Sequence, residues 1–235
     1  MLRLRTFGGL TLARGEEDLT GAVTQRRRLA ILAALAVAGE QGLSRDKLQS
    51  LLWPESDAAR ARHVLNQLLY AQRRQVGSDA LFRGQKTLRL NPEVIWTDAG
   101  AFEVALQRGE LEAAAAVYSG PFLDGFFLKD APEFERCTEE QRSRLARRHL
   151  GALSALAGRA TLMGDRAAAA TWWRCALDAD PYDSVAALGL VESLAAAGDR
   201  PGALREGLRH DALVRAELGV PADPRLRELL ARLSS

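Results

Sequence analysis

The spacing of hydrophobic and polar positions changes along this chain, and the change predicts two regions of different architecture. Residues 2–13 alternate between apolar and polar side chains around Gly8-Gly9, which predicts two short strands joined by a tight turn. No GxGxxG or GxxxxGK[ST] motif follows, so a hairpin turn is favoured over a phosphate-binding loop. Apolar residues then recur at helical spacing, first from Thr24 or Gln25 to about Ala38 and again over 45–53.

The stretch from Asp57 to Gly77 shows the sharpest division into two faces. At 100° per residue it forms a helix of about five turns with its leucines and valines on one side. Asp57 is an expected N-cap and Gly77 an expected C-terminal cap. Four arginines and no acidic residue lie between them. The other side carries side chains that hydrogen-bond base edges or phosphates, which predicts a recognition helix with the exposed residues Arg60, His63, Asn66, Gln67, Tyr70 and Arg74.

One polar residue falls in the middle of the apolar side of this helix. Gln72 occupies a position where the surrounding pattern calls for an apolar side chain. A buried amide without partners would cost about 1–3 kcal/mol. Either Gln72 reaches a partner, such as a backbone group of the hairpin that follows, or the end of the helix is less buried than the pattern indicates.

Basic residues lie on both sides of the predicted recognition helix in the sequence. Residues 81–90 have the spacing of a hairpin. This hairpin would be the wing of the domain, with Arg83, Lys86 and Arg89 near its tip. Strand, helix, helix, long helix and hairpin together predict a winged helix-turn-helix of about 95 residues. Three further arginines begin the first helix, although anions are preferred there. A passing phosphate backbone would explain them, and so would solvent exposure or pairing with acidic residues of the second half; they are Arg26, Arg27 and Arg28.

From about Thr97 the pattern is almost wholly helical. The exception is an apolar segment rich in Phe, Pro and Gly at 119–134, which we interpret as an ordered loop. The predicted helices are 98–108, 110–118, 132–163, 166–179, 183–197, 200–217 and 223–233. MGDRAAA and AGDRPGA begin 34 residues apart, at Met163 and Ala197, which is the period of tetratricopeptide repeats. Such repeats offer a concave surface to another protein or to a second copy, or they pack only as a rigid bundle.

Composition and charge support a division of the chain near residue 97. The hydrophobic content of 47% and the charged content of 26% are those of an ordinary globular protein. Residues 1–97 hold 15 basic and 9 acidic residues, whereas residues 98–235 hold 17 and 21. The first part therefore carries +6 and the second −4. A basic first part suggests a polyanionic partner, although a solvated face reaches such a charge without one.

The chemistry-bearing residues form no motif of an enzyme or a metal site. Cys137 and Cys175 lie in separate predicted helices, as do the three histidines, and no CxxC occurs. We therefore expect free thiols, no metal, no cofactor and no catalytic residues. No apolar run approaches the roughly 20 residues that span a bilayer, and the N-terminus has no signal-peptide pattern. A cytoplasmic protein without a membrane partner is the expectation.

The ordered set of elements and phrases resembles the SARP-type transcription regulators. The matching phrases span nearly the whole chain: QRRRLAILAALA, SRDKLQSLLWPE, ARHVLNQLLYAQRRQVG, LRLNPEV, YSGPFLDGFFLKDAPEFERC, GDRAAAATWWRCALDADPYD and AELGVPADPRL. The resemblance implies a mainly α fold with small β content. A winged helix-turn-helix like that of response regulators would occupy residues 1–97. A tetratricopeptide-like, all-α bacterial transcriptional activator domain would occupy residues 98–235.

The same resemblance implies a sequence-specific regulator of transcription. It would bind double-stranded promoter DNA, as a homodimer or in tandem on direct repeats, and recruit RNA polymerase as an activator. In this chain the recognition helix of the family corresponds to residues 57–76 and its wing to about 81–90. No Walker motif is present, so no nucleotide-dependent switch is expected.

Each basic or amide residue then has an expected role. Asn66, Gln67 and Arg74 would contact base edges, and Arg60 and Tyr70 phosphates or sugars. His63 also faces the DNA. Backbone charge would be neutralised by Arg73 and the arginines of the first helix, while the wing would approach the minor groove through Arg83 and Lys86. The alternative is a protein-interaction adaptor whose winged helix no longer binds DNA specifically. An enzyme is a third alternative that no sequence motif supports.

Overall fold

The computed structural model of the protein describes residues 1–19 and 26–235. The predicted start of the first helix at Thr24 or Gln25 lies outside the described residues. The chain has two compact units, Met1–Leu145 and Ala146–Ser235. The boundary predicted at residues 97 and 98 stays a prediction about functional domains. The first compact unit extends further because the helix that begins at residue 98 packs on strands and a helix from the first 97 residues.

The strands of the first unit form two small sheets. The described strands are β1 (Leu2–Arg5), β2 (Thr11–Arg14), β3 (Glu17–Asp18), β4 (Leu43–Ser44), β5 (Phe82–Arg83), β6 (Thr87–Leu90) and β7 (Ile95–Thr97). One sheet has the order β3-β2-β1-β7, with β1 antiparallel to β2 and parallel to β7. The other has the order β4-β6-β5 and is antiparallel. Both hairpins predicted from the sequence, at 2–13 and 81–90, are confirmed.

The described helices of the chain follow the predicted bounds within a few residues. They are α1 (Arg26–Ala38), α2 (Arg45–Leu52), α3 (Ala58–Val76), α4 (Asp98–Arg108), α5 (Leu111–Val117), α6 (Pro132–Leu162), α7 (Arg166–Ala179), α8 (Ser184–Ala196), α9 (Arg200–Leu218) and α10 (Pro224–Ser234). Within the described residues, no helix is both long and apolar enough to cross a membrane.

The caps of α3 are those expected from the sequence. The Asp57 carboxylate accepts hydrogen bonds from the backbone N–H groups of Ala59 and Arg60, both at 3.0 Å. Gly77 ends the helix with φ of 60°, in the left-handed region that glycine adopts without strain. On the apolar side, Leu65 and Leu69 are completely buried. The division of this helix into two faces is therefore confirmed.

The segment between α5 and α6 is an ordered loop that contributes to the core of the first unit. Phe122, Leu123 and Phe126 are buried there. The Leu123 N–H donates to the Thr6 carbonyl at 2.7 Å, next to the end of β1. Arg142 from α6 donates to the Phe122 carbonyl at 3.1 Å. The predicted packing of this apolar segment is confirmed, and these backbone bonds hold it in place.

A buried carboxylate connects the end of β1 to the start of α4. Asp98 is 3% exposed. It accepts from the Thr6 N–H at 2.6 Å, the Thr6 hydroxyl at 2.7 Å and the Phe7 N–H at 2.9 Å. The Ala99 N–H is a fourth donor, at 2.7 Å, and together the four offset the desolvation of a buried carboxylate. The pairing of β1 with β7 places Asp98, the next residue after β7, within reach of these groups.

The second unit contains the predicted repeat. Helix α7 packs against α8, α8 packs against α9, and α9 packs against α10. Asp165 and Asp199 lie 34 residues apart, and each caps its helix by accepting from the N–H group three residues later, at 3.0 Å and 2.9 Å. Matched caps at the repeat period support the tetratricopeptide-like arrangement, and the mainly α fold predicted from the sequence is confirmed.

Candidate nucleic-acid interface

One face of α3 is exposed and presents the residues that the sequence predicted for DNA. Tyr70 is 63% exposed, which leaves most of a large aromatic side chain open to solvent. Exposure along one side of a capped helix is a geometry that fits a groove of the double helix. All six residues predicted for this face are exposed, namely Arg60, His63, Asn66, Gln67, Tyr70 and Arg74.

The electrostatics of α3 favour an anionic partner. Asp57 precedes the helix and is engaged in its cap. From Ala58 to Val76 the helix holds four arginines and no carboxylate. Arg60 and Arg74 lie at opposite ends of the exposed face, about 21 Å apart at 1.5 Å rise per residue. A face of this length and sign matches the spacing of several phosphates along a duplex.

Arg73 of α3 and Arg14 of β2 make structural contacts at the C-terminal end of α3. The Arg73 guanidinium lies over the Phe82 ring, 5.6 Å from its centroid, and so packs against the wing strand β5. Arg14 from β2 donates to the Val76 carbonyl at 2.5 Å, satisfying a carbonyl at the end of the helix. Arg73 is therefore not on the exposed face with the other predicted residues, and its contact with a phosphate stays a prediction.

The arginines that begin α1 contact carbonyl groups and aromatic rings. Arg26 donates to the Phe127 carbonyl at 2.7 Å, and its guanidinium lies 5.5 Å from the centroid of the Phe126 ring. Arg27 lies 5.7 Å from the centroid of the Trp53 ring. The sequence suggested a phosphate, water or an acidic partner. It missed these contacts. Those of Arg26 attach the start of α1 to the loop that precedes α6, and that of Arg27 attaches it to the residue that follows α2.

Arg28 and Gln72 connect α1 to α3, and Arg28 provides the partner of the buried Gln72 amide. Gln72 is 3% exposed, and its Nε2 group donates to the Arg28 carbonyl at 2.6 Å. Arg28 in turn donates to the amide oxygen of Gln75 at 3.0 Å. The expectation of a partner is confirmed, but the suggested location in the wing is wrong. The alternative of a poorly buried helix end is also wrong, since Val76 is 6% exposed.

Of the three cations of the wing, Arg83 and Lys86 are the two that the sequence predicted to approach DNA. Arg83 forms an ion pair with Glu93 at 2.9 Å, in which both side chains are largely exposed. Lys86 is exposed in the connection between β5 and β6. Exposed ion pairs contribute at most about 1 kcal/mol, so Arg83 can exchange Glu93 for a phosphate at little cost. The two cations are placed near the tip of the hairpin, as the sequence predicted.

The sequence did not predict that Arg45 belongs to the surface formed by α3 and the wing. Arg45 begins α2, and its backbone N–H donates to the Lys86 carbonyl at 3.1 Å. Its side chain donates from Nε to the Gln85 carbonyl at 2.7 Å and from Nη1 to the Asn66 Oδ1 atom at 2.8 Å. No sequence pattern could show this, because the partners are 21 and 40 residues away.

The remaining titratable groups do not point to a catalytic centre. Burial raises the pKa of the Cys137 thiol and lowers the pKa of the His149 and His210 imidazoles. Cys137 and Cys175 are free thiols, as expected. Across residues 1–19 and 26–235, no three His, Cys, Asp or Glu side chains lie together as a metal site would require.

Comparison with known families decides what this architecture belongs to. Residues 96–234 match the model of the bacterial transcriptional activator domain, which is more than half of the chain. The chain belongs to the bacterial transcriptional activator domain family. The resemblance to SARP-type transcription regulators, predicted from the sequence, is confirmed. The matched range begins two residues before α4 and ends within α10.

Two similar proteins are longer than the present chain, which matches only part of each. An uncharacterized 47.3 kDa protein in the thcA 5' region of Rhodococcus erythropolis is 35% identical over 146 residues, which cover 61% of this chain and 30% of the relative. The structure of Mycobacterium tuberculosis EmbR in complex with a low affinity phosphopeptide matches with a TM-score of 0.68 and 21% identity. This match covers 99% of the present chain and 65% of EmbR, and it shows a shared fold. The chain thus spans less than two thirds of each.

Proposed function

We propose that this activator-family protein is a sequence-specific DNA-binding regulator that activates transcription. The observation that carries the proposal is the exposed face of α3, which is free of carboxylates and held rigidly from behind by a buried apolar side. Membership of a transcriptional activator family supports the same role.

In this proposal α3 lies in the major groove, which is wide enough to admit a helix. Gln67 and Arg74 contact base edges together with Asn66, whose amide oxygen is already engaged by Arg45. Arg60 and Tyr70 contact phosphates or sugars, and His63 faces the same groove. Lys86, with Arg83 released from Glu93, brings the wing to the minor groove.

The arginines of the first helix and Arg73 would act on the phosphate backbone. A guanidinium has five N–H donors, and Arg26 uses one in its bond to the Phe127 carbonyl. Such a residue can hold the protein together and still offer N–H groups to a phosphate. The same argument applies to Arg28, which bonds the Gln75 amide. These residues are therefore part of the proposed interface, where their remaining N–H groups bond the phosphate backbone.

The activator half, proposed as residues 98–235, would recruit RNA polymerase. Its tetratricopeptide-like helices are of a kind that binds other proteins or a second copy of the same chain. Binding as a homodimer or in tandem on direct repeats would place two recognition helices on neighbouring half-sites. No enzymatic activity is proposed, since the family comprises transcription regulators.

Selection of bound sites from random duplex DNA tests the proposal. We expect the full chain to enrich one sequence, with an affinity that falls steeply as salt rises. Arg74→Ala should then lower the affinity by about 1–3 kcal/mol and relax one base position if Arg74 contacts guanine. Arg108→Ala, which removes another exposed charge at the end of α4, is the matched control and should leave base preference unchanged.

The opposite outcome is equally clear. Absence of any enriched sequence for the wild-type chain at about 150 mM salt would contradict DNA recognition. It would instead favour an adaptor whose winged helix contacts only proteins. An unchanged affinity and specificity in Arg74→Ala would remove that residue from the interface without affecting the rest of the proposal.

A further inference from the structure

Arg45 joins the recognition helix to the wing. Its backbone N–H and its Nε group donate to the carbonyls of Lys86 and Gln85, at 3.1 Å and 2.7 Å. Its Nη1 group donates to the Asn66 Oδ1 atom at 2.8 Å. One residue at the start of α2 therefore contacts both structures that the proposed function places on DNA.

The contact with Arg45 dictates how the Asn66 amide is oriented. A guanidinium donates hydrogen bonds and cannot accept them. The atom that faces Arg45 must therefore be the amide oxygen, because the NH₂ group would oppose donor to donor. Oδ1 has two lone pairs. Arg45 occupies one of them and places a positive charge beside the other, which disfavours a second donor there. Nδ2 is therefore the amide group that bonds more readily elsewhere. Asn66 is exposed, so this group is available to a partner.

We propose that Arg45 sets the base preference of Asn66 by holding its amide oxygen. Asn66 then contacts base edges in the major groove as a hydrogen-bond donor. The inference rests on the proposed function and deepens it. An unrestrained asparagine pairs with adenine in a bidentate manner, accepting from N6 and donating to N7. Restrained by Arg45, Asn66 favours the guanine edge instead, which presents two acceptors, O6 and N7.

Arg45 is a positioning residue here, and loss of its side chain also frees the Gln85 carbonyl of the wing, while the backbone bond to the Lys86 carbonyl remains. A loosened wing lowers affinity for every sequence, since wing contacts with the backbone carry no base information. A change of preference at the single base pair that Asn66 contacts is different. Only the orientation of the Asn66 amide accounts for it, and this separates the inference from a general structural role.

The test is selection from random duplex DNA with the full chain and five variants. Asn66→Ala first identifies the base pair that depends on Asn66. At that position the wild type should favour guanine, and Arg45→Met should raise the ratio of adenine to guanine at least about fivefold. In the double variant with Asn66→Ala, the substitution of Arg45 should have no further effect at this position.

Two further variants make the result independent of charge and of folding. Lys47→Met removes one charge from the exposed side of the same helix, and it should lower affinity without changing the preferred base. Arg45→Lys keeps the charge, but its single ammonium lacks the planar fork needed to hold Gln85 and Asn66 together. It should shift preference in the same direction as Arg45→Met, and it decides the matter if the latter does not fold.

The possible failures are distinct. An enriched site whose preference is the same in Arg45→Met, Arg45→Lys and the wild type overturns this inference and leaves the proposed function intact. A shift that persists in the Asn66→Ala background also overturns it, because the effect then passes through another residue. Failure of the wild-type chain to enrich any site overturns the proposed function, and this inference with it.

Discussion

Gln72 uses a hydrogen bond where its neighbours on the same side of α3 use apolar contact. Its Nε2 group bonds the Arg28 carbonyl, while its Oε1 atom is buried without a hydrogen-bond partner among the described residues. The Arg28 carbonyl also lies in the first turn of α1, where helix geometry gives it a bond to the N–H group four residues later. Gln72 therefore adds a second bond to a satisfied acceptor while it buries an unsatisfied one, and the two effects nearly cancel.

At the residue scale, we predict that Gln72→Leu and Gln72→Glu differ sharply. Gln72→Leu should change the free energy of unfolding by less than about 1 kcal/mol, because one bond and one unpaired acceptor are lost together. Gln72→Glu should lower it by about 2 kcal/mol or more at pH 8, because a buried carboxylate would face a carbonyl oxygen. Urea unfolding at pH 8 and pH 4 measures both.

The pH dependence makes the second variant decisive. At pH 4 the carboxyl group introduced by Gln72→Glu is protonated and can donate to the Arg28 carbonyl, so much of the loss should be recovered. Gln67→Glu, on the exposed face of the same helix, is the control and should have little effect at either pH. An equal loss for Gln72→Glu at both pH values would show that charge is not the cause.

At the scale of elements, the wing depends on one glycine that has no substitute. Gly84 closes the connection between β5 and β6 with φ of +86°, and a Cβ atom there would lie 2.0 Å from the Thr87 carbonyl oxygen. Gly77, at the end of α3, also has a positive φ, of +60°, but a Cβ atom there would meet no atom within 4 Å. The two positions separate the cost of backbone conformation from that of a steric clash.

We predict that Gly84→Ala is much more destructive than Gly77→Ala. Gly77→Ala should lower the free energy of unfolding by about 1 kcal/mol, which is the conformational cost of a left-handed residue. Gly84→Ala adds the clash with the backbone, so the turn must rearrange. Urea unfolding should show a loss at least twice as large, and hydrogen exchange should show faster exchange of the β6 amides. Similar losses for both variants would contradict the role of the clash.

At the scale of the whole molecule, the second unit contains a buried imidazole that makes its stability depend on pH. Burial, the largest effect, lowers the pKa of His210, while the Pro181 carbonyl and the nearby Asp183 and Asp211 act in the opposite direction. The folded protein therefore binds fewer protons than the unfolded chain once the pH falls below the ordinary histidine value of about 6.5. Stability is fully present above this pH and decreases below it.

We predict that acidification from pH 8 to pH 5 lowers the thermal midpoint of unfolding less in His210→Gln than in the wild type. The difference between the two pH values is compared, so any loss of packing in the variant cancels. His63→Gln removes an exposed histidine of α3 and should leave the acid-induced decrease as it is in the wild type. A decrease of the same size in His210→Gln would rule out this residue as its source.

The sequence by itself determined the elements and the face of α3. Caps such as Asp57 and Gly77, and the helical spacing of apolar residues, act within a few residues, so they can be recognised from the order of residues alone. The 34-residue repeat is recognisable for the same reason, because each copy repeats a local pattern with its capping aspartate. The exposed residues of the proposed interface followed from this periodicity.

The tertiary structure decided which residues hold that face in place. Gln72, Arg26 and Arg45 each bond a backbone carbonyl, and the partners are 44, 101 and 40 residues away in the chain. Every residue has a carbonyl, so nothing in the sequence distinguishes the one that will be used. Only the packing of α1 against α3 and the loop before α6, and of α2 against α3 and the wing, selects these acceptors. The same packing sets the orientation of Asn66.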